Sequence, residues 1–498
     1  MRKGSITVFL SLTLIPLLSL LLASLFSVRI AACRAVSALA ADEAVFSLFS
    51  EYDRDLFERY HLFFLDGGLD TGSPAFSAHI RFLKDSADPV LHPGKGRPFA
   101  SGTTPLTLEL ESCELTGYTS ASEQNGRVLA AQAVEFMKHT LGIQGVQLLL
   151  EQPGSPSGQE LSGNIGGSVL SSDLHSEMSK IKNEAAVRNT ETGSPESGSA
   201  PPGSQNPAGS VPEDFENPIE TVSGFQKHSL LSLVLPSGAQ VSERTLDLSA
   251  LPSGRTPAPS LGIISLPPAI SGTDRLLFDE YALQHCGCFT AGQDGALSYG
   301  AEYLLSGKSS DQANLTAVVR SLLVLRTGVN AAAILADASL KAQASEAALM
   351  IASALAVPEF QPAVEALLIA AWAWCESIVD LRALLAGKRT ALVKDASSWQ
   401  VSVANIPRLL AKDSSFVKDQ PGGIDYRGYL RILLLSKKQD LLQKRLLDLI
   451  ESTIRNICGR PSFRIDLCID TAEAEFSVRA ENIYVLTTKQ QYSYREEV

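Results

Sequence analysis

The sequence predicts an α+β protein that begins with a single transmembrane helix. Three observations predict this class: a charge-free apolar stretch near the N-terminus, long segments with apolar residues at helical spacing, and alternating apolar residues near the C-terminus. Strands that flank a helical block are typical of α+β folds. We therefore expect an N-terminal transmembrane helix that continues as an amphipathic helix, then a helical bundle packed with an antiparallel or mixed sheet.

The apolar stretch covers residues 5–28, which carry no charged side chain, and basic residues flank it on both sides. About 24 residues of helix span roughly 36 Å, enough to cross a hydrocarbon core of about 30 Å. A cleaved secretory signal would have a shorter apolar core. Residues 30–33 (IAAC) suggest a lipoprotein signal, but Arg29 lies directly beside them. We therefore interpret the stretch as an uncleaved signal anchor.

The orientation of this anchor is predicted from its flanks. The positive charges on its two sides nearly balance, so the charge bias is slight. A four-residue tail is simple to keep in the cytoplasm while the following domain is exported. We expect a single-pass protein of the cell membrane with a cytoplasmic N-terminus and an extracytoplasmic body.

An amphipathic extension completes the first predicted segment, residues 1–66. Its apolar residues recur at spacings of three and four: Val45, Phe49, Tyr52, Leu56, Tyr60 and Phe63. Residues 66–68 (DGG) are expected to end this helix. The stripe favours a helix that packs on its own domain; a helix–helix assembly seam, as in pilin-like proteins, is the alternative.

Two further segments are predicted before the main body. Residues 67–151 form an α+β segment with a strand near 106–112 and a helix near 126–141. Residues 152–227 are rich in Gly, Ser and Pro, and such composition buries too little apolar surface to order the chain. We expect a disordered linker or an inserted loop there.

The predicted body covers residues 228–498. Helical periodicity predicts helices near 311–336, 340–356, 361–385 and 426–457. Alternating residues predict a strand over 299–305 and an antiparallel set of strands within 462–488. The strands on both sides of the helices support the α+β class.

Two short clusters offer candidate chemistry. Residues 285–288 (HCGC) contain metal-binding residue types but lack a second ligand pair, so a turn with buried thiols is favoured over a metal site. Glu376 and Asp380 lie four residues apart on a predicted helix and suggest acid–base catalysis, but we interpret them as a solvated helix face. The sequence contains none of the common nucleotide-binding, zinc-protease or serine-hydrolase motifs. We assign no catalytic, cofactor-binding or metal-binding residue, no cofactor and no small-molecule substrate.

The composition excludes one class of partner. The chain has 498 residues and a net charge of −12, without a basic patch. Because phosphate binding requires clustered Lys and Arg, nucleic acid is not expected as a partner, and electrostatic contact with anionic lipid head groups is equally disfavoured. The seven cysteines are widely spaced, unlike a disulfide framework. Cys375 is predicted to be a core residue, and a Cys458–Cys468 disulfide stays open.

Several stretches within residues 1–66 and 298–483 are distinctive. They are residues 3–12 (KGSITVFLSL), 51–54 (EYDR), 60–66 (YHLFFLD), 301–307 (AEYLLSG), 371–382 (AWAWCESIVDLR), 423–430 (GIDYRGYL) and 448–451 (DLIE), together with Asn314, Leu315, Arg326 and Asn330. Together they resemble a family of uncharacterised membrane-anchored proteins from clostridia and related Firmicutes. Its members accompany genes similar to those of Tad (Flp) pilus assembly with TadE/TadG-like minor pilins. The resemblance implies a setting but no activity.

One detail separates the chain from a pilin subunit. Gly4 before the apolar stretch resembles a prepilin peptidase site, but Phe9 stands where type IV-like pilins usually carry Glu. Processing at Gly4 and a role as major pilin are therefore not expected. The sequence predicts a structural or accessory protein of a Tad-like pilus or secretion apparatus, with protein partners there and no enzymatic activity. The alternative is a cell-surface hydrolase or ligand-binding module held by the anchor.

Overall fold

A computed structural model describes residues 3–93, 106–151, 176–181, 183–184, 217–258, 260–262, 264–355, 358–406 and 417–495. Within these residues the predicted α+β class is confirmed. The chain forms two compact units: unit 1 comprises Met1–Thr140, Asp247–Phe278 and Gln439–Val498, and unit 2 comprises Leu141–Leu246 and Asp279–Lys438. Each unit is thus assembled from separated parts of the chain, whereas the sequence analysis divided it into consecutive segments.

The helices and strands are as follows. The helices are α1 Lys3–Phe49, α2 Arg54–Tyr60, α3 Phe76–Leu91, α4 Glu123–Glu151, α5 Pro218–Phe225, α6 Leu230–Val234, α7 Thr273–His285, α8 Gly300–Ser306, α9 Asp311–Ala336, α10 Ala338–Ala354, α11 Gln361–Leu385, α12 Tyr426–Leu435 and α13 Gln439–Ile457. The strands are β1 Leu65–Asp66, β2 Leu108–Ser120, β3 Cys468–Ala480 and β4 Tyr484–Ser493. Residues 176–181 are also helical.

The sheet of unit 1 is built around β3. It pairs antiparallel with β2 on one side and with β4 and the short β1 on the other. Helices α1 and α3 pack against this sheet. The buried apolar side chains of α1, α3, β2 and β3 form one continuous core.

Helix α1 has two halves with different surroundings. From Phe9 to Val28 its large apolar side chains are exposed, with Leu20 at 71%. From Cys33 to Phe49 one face is buried in the unit 1 core, and small residues such as Ala40 and Ala44 allow close packing there. One uninterrupted helix therefore joins an exposed apolar rod to a folded core.

The predicted amphipathic extension is broken where one helix was expected. Helix α1 ends at Phe49, and Asp53 starts α2 because its side chain accepts a hydrogen bond from the amide of Leu56 at 2.9 Å. Helix α2 ends before His61, whose left-handed backbone closes it, so residues 66–68 do not end the helix. The predicted packing on the protein's own domain is confirmed, since Val45 and Phe49 belong to the unit 1 core.

Helix α8 corrects the strand expected at 299–305. The side chains Ala301, Tyr303, Leu304 and Leu305 are all buried, so alternation does not distinguish two faces in this segment. The helix ends at Gly307, whose φ of 63° suits glycine and whose amide donates to the carbonyl of Tyr303.

The C-terminal part differs from the prediction in two places. The helix expected over 426–457 is split into α12 and α13, because Ser436 donates from its hydroxyl to the carbonyl of Leu433 and closes the first helix. Within 462–488, Ile465–Leu467 is a 3₁₀ turn, because Asp466 is held by Arg255 and Arg464. Two long strands follow, and β4 extends past residue 488 to Ser493.

The expected disordered segment is described only in part. Residues 152–175, 182 and 185–216 lie outside the described residues. At its end, helix α5 contradicts the expectation of disorder, since Asn217 caps the helix and Val222 and Phe225 are buried. The helices predicted near 126–141, 311–336, 340–356 and 361–385 correspond to α4, α9, α10 and α11. The strand predicted near 106–112 overlaps the first part of β2.

Candidate functional site

A group of fully buried charged side chains lies inside the helical bundle of unit 2. Four charged side chains, Arg326, Glu376, Asp380 and Lys394, form what we term the buried ion cluster. All four side chains have 0% exposure. Arg326 comes from α9, Glu376 and Asp380 come from α11, and Lys394 lies in the segment that follows.

Arg326 uses every N–H group of its guanidinium. It donates to Asp380 through Nε at 3.0 Å and Nη2 at 2.8 Å, and also to the carbonyl of Leu392, the hydroxyl of Tyr429 and the amide oxygen of Asn330. A guanidinium carries five donors in a fixed fork. Arg326 therefore fixes α9 against α11, α12 and the segment after α11.

Lys394 occupies the position between the two carboxylates. Its Nζ lies 2.6 Å from Asp380 Oδ1 and also contacts Glu376 Oε1. Glu376 accepts a further hydrogen bond from the amide of Val401 at 2.8 Å. Trp399 lies over the ammonium group, with its ring centre 6.0 Å from Nζ.

The formal charges of the cluster cancel, and the surroundings shift its carboxyl pKa values in opposite directions. Burial raises the pKa of Glu376, although Lys394 opposes the shift. Burial also acts to raise the pKa of Asp380, but Arg326 and Lys394 outweigh it and hold that pKa below its usual value. Two cations thus contact Asp380, which explains why its pKa is lowered while that of Glu376 is raised.

The burial of Glu376 and Asp380 corrects the sequence interpretation. We expected them on a solvated helix face, but both are 0% exposed and paired. The spacing that suggested a surface pair also aligns them on one buried face of α11. Lys394 was not predicted to have a role. The signal available in the sequence was the presence of polar residues such as Arg326, Asn330 and Ser377 within strongly apolar helices.

A second buried polar group lies beside the 285–288 turn. Glu302 of α8 accepts hydrogen bonds through Oε1 from the amide of Phe289 at 2.8 Å and from the hydroxyl of Tyr426 at 2.9 Å. Burial raises its pKa to about 7. Such a carboxyl changes charge near neutral pH, which is the range where an acid–base group works.

The 285–288 turn contains buried thiols, as predicted. Cys286 and Cys288 are 7% and 4% exposed, and Gly287 between them has a φ of 58°. Burial raises the pKa of both thiols, to about 12 for Cys286, which favours the unreactive protonated form. Among the described residues, no group of three or more His, Cys, Asp or Glu side chains is arranged to hold a metal ion. Cys375 is a core residue, and all seven cysteines are free.

Two grooves lie on unit 1. The larger has a volume of about 700 Å³ and is lined by α4, residues 265–270 and the end of β4. Its cations are engaged, since Lys138 pairs with Asp274 at 2.8 Å and Arg495 pairs with Asp470 at 2.8 Å. The smaller, of about 430 Å³, lies beside the left-handed backbone of Gln124 and Asn125.

The fold and these sites define an α+β protein with one exposed N-terminal helix that is long and apolar enough to cross a membrane. The apolar part of this helix is 0% buried. Helix α9 is also long and apolar, but 61% of its apolar part is buried. Residues 209–480 match a family of unknown function, DUF5702. Because the match covers more than half of the chain, the protein belongs to this family. The predicted membership of an uncharacterised family is thus confirmed. No curated protein and no solved structure matches the chain.

Proposed function

We propose that the protein is a single-pass membrane protein whose extracytoplasmic body is a structural or accessory part of a Tad-like pilus or secretion apparatus. The observation that carries the proposal is the continuity of α1. Its 47 residues correspond to about 70 Å of helix, more than twice the thickness of a hydrocarbon core. One half is an exposed apolar rod and the other half is part of the unit 1 core.

Such a helix couples the membrane mechanically to the body. A flexible linker would let the body move independently, whereas a helix without a break transmits displacement and rotation. Pro16 lies within the exposed half, where a helix in lipid tolerates proline. A rigid connection of this kind suits an assembly that bears load.

The buried polar groups of unit 2 also support a structural role. The buried ion cluster has no exposed side-chain surface, so a substrate has no access to it in this conformation. Arg326 has all its donors occupied, which fixes positions and leaves no group for a ligand. The pilus setting itself comes only from the family resemblance of stretches within residues 1–66 and 298–483.

The alternative is a ligand-binding or hydrolytic module at the cell surface. The groove of about 700 Å³ on unit 1 favours it, because its volume is within the range of small-molecule sites. Its paired cations favour a neutral ligand over an anion. A stable ligand recovered with the purified protein and displaced by a bulky residue at Ala131 would favour this alternative.

Membrane orientation is tested by thiol labelling in intact cells. Six of the seven cysteines are buried, so a Cys458→Ser background removes the partly exposed thiol. Reporter cysteines are placed at exposed Ser77 in unit 1 and Ser353 in unit 2, and a third at Ser5, the first residue of the apolar stretch. We expect an impermeant maleimide to label positions 77 and 353 in intact cells and position 5 only after lysis. The reverse pattern would place the body in the cytoplasm and contradict the proposal.

The assembly role is tested by photo-crosslinking from α1. Leu39 is 57% exposed beyond the apolar stretch, and Leu349 in unit 2 is 54% exposed and provides a control. We expect a photoreactive residue at position 39 to capture proteins of the apparatus. Separately, N-terminal sequencing would show whether Gly4 is processed. No capture from position 39, or equal capture from positions 39 and 349, in cells that build the apparatus would argue against a structural role of α1.

A further inference from the structure

The tip of the β3–β4 hairpin carries an unusual concentration of exposed apolar side chains. Ile483, Tyr484 and Val485 are 68%, 43% and 56% exposed. The turn is tight, because Glu481 and Asn482 both have left-handed backbones and the amide of Ile483 donates to the carbonyl of Ala480. Adjacent exposed apolar residues at a rigid tip are typical of a contact with a partner surface or a membrane.

Two contacts fix this tip beside one turn of α1. Arg29 pairs with Glu481 through both carboxylate oxygens, at 2.8 and 2.7 Å. The Phe26 ring lies 5.8 Å from the Tyr484 ring. Glu481 is held further by the backbone of Thr107. The tip is therefore attached to the helix where the charge-free stretch ends, at Val28.

The hairpin also runs along α1. Phe26 contacts Tyr484 at one end of β4, and Phe46 lies 6.1 Å from Tyr492 at the other. The helix advances by about 30 Å between its two contact residues, and the strand by about 27 Å. The matching lengths show that β4 follows the helix away from its apolar half, with the turn as its nearest point to that half.

We infer that the hairpin tip, Ile483 to Val485, rests in the interface of the membrane that α1 crosses. This inference rests on the proposed membrane anchoring by α1. The surface is continuous with the helix, since Leu25, Phe26 and Val28 are exposed next to it. Tyrosine prefers the membrane–water boundary, and Arg29, which pairs with Glu481, lies about one helical turn beyond Phe26 on the side away from the apolar stretch.

The tip is expected to contact lipid by burying its apolar side chains rather than through charge. The acidic chain disfavours electrostatic attraction to anionic head groups, and the tip carries no cation that lacks a partner among the described residues. The contact therefore needs no particular lipid head group. A second attachment beside the helix would restrict tilting of unit 1 against the membrane.

Depth-dependent quenching tests the inference on the full chain. In the Cys458→Ser background, single cysteines at Ile483, Thr487 and Leu20 carry an environment-sensitive fluorophore, and the protein is reconstituted in phosphatidylcholine vesicles. Nitroxides are placed either at the lipid head group or on the acyl chain. Thr487 is exposed on the same strand, about 10 Å beyond Tyr484, and serves as the matched control.

We expect lipid-borne nitroxide to quench the label at 483 severalfold more than the label at 487, and acyl-chain nitroxide to quench the label at 20. Quenching at 20 with equally weak quenching at 483 and 487 would overturn the tip contact and leave the anchor intact. Absence of quenching at 20 would overturn both. Efficient disulfide formation between two chains through position 483, without lipid quenching, would instead assign the tip to a second copy.

Discussion

Unit 2 places four charged side chains where water cannot reach them. Removing an ion from water costs several kcal/mol, and the cost is offset only where each ion finds close partners. Arg326 and Lys394 both contact Asp380, and Lys394 also contacts Glu376, so no member lacks an opposite charge. Loss of one member should be far more costly than loss of a surface ion pair.

Lys394→Met tests the cluster. The substitution keeps an apolar chain of similar length but leaves two buried carboxylates with one guanidinium. We expect unit 2 to lose about 3–5 kcal/mol of unfolding free energy. All three tryptophans, Trp372, Trp374 and Trp399, belong to unit 2, so tryptophan fluorescence in denaturant follows this unit.

The control is the exposed pair Arg389–Asp419, where Asp419→Asn should have a much smaller effect. Glu376→Gln combined with Lys394→Met should cost less than the sum of the single substitutions, because the two side chains are in contact. Additive effects would mean that the pair does not interact in solution.

Glu302 is expected to make unit 2 stability depend on pH. Its folded-state pKa of about 7 lies above its ordinary value of 4.5, so the folded state favours the protonated form. The stabilisation is complete below about pH 4.5 and is lost as the pH rises to about 7. We expect this group to remove on the order of 2 kcal/mol between pH 5 and pH 8.

Glu302→Gln should abolish this part of the pH dependence, since the amide oxygen still accepts from Phe289 and Tyr426. Denaturant midpoints by tryptophan fluorescence at both pH values measure it. Glu346→Gln on the exposed face of α10 is the control. An unchanged pH profile in the Glu302 variant would show that the carboxyl is not the titrating group.

At the scale of secondary-structure elements, the packing of α1 on the sheet depends on residue size. Ala40, Ala41 and Ala44 are buried at its packed face, while Ala38 is exposed on the same helix. Small residues let the helix lie close to the sheet, so added volume has no space at the packed face. The same change on the other face meets solvent.

Ala44→Leu should destabilise unit 1 by about 1–3 kcal/mol through overpacking. Ala38→Leu is the matched control and should have little effect, because leucine is also a good helix former. Amide hydrogen exchange of β3 and β4 reports the loss in unit 1 directly. Equal protection in the two variants would contradict the close packing of α1 on the sheet.

For the whole molecule, α1 belongs both to the anchor and to the fold. Only its second half is in the core, so the two contributions are separable along the sequence. Cleavage after the apolar stretch would release a folded body. Removal of the entire helix would open the unit 1 core.

Deletion of residues 2–28 should give a protein that is soluble without detergent and retains exchange protection in β3. Deletion of residues 2–49 should lose that protection, because the buried face from Cys33 to Phe49 is removed. Tryptophan fluorescence should show a folded unit 2 in both. Full protection of β3 in the longer deletion would show that the sheet does not depend on α1.

The sequence alone determined the features that depend on local pattern. The charge-free stretch of residues 5–28, the helices near 311–336 and 361–385 and the burial of Cys375 follow from hydropathy and periodicity, which are properties of neighbouring residues. The α+β class followed from the order of these patterns. Where the pattern was ambiguous, as in the wholly buried segment at α8, periodicity predicted the wrong element.

Only the tertiary structure decided which distant residues meet. Lys394 lies in a polar segment and Arg326 in an apolar helix, and no spacing rule links them to Asp380 across 14 and 54 positions. Glu376 and Asp380 had the pattern of a solvated pair, and their burial depends on cations supplied from elsewhere in the chain. The β3–β4 hairpin likewise contacts Phe26 and Arg29, and Arg29 lies 452 positions before its partner Glu481 in the sequence. Local patterns record which residues avoid water, whereas the pairing of buried charges depends on how the whole chain packs.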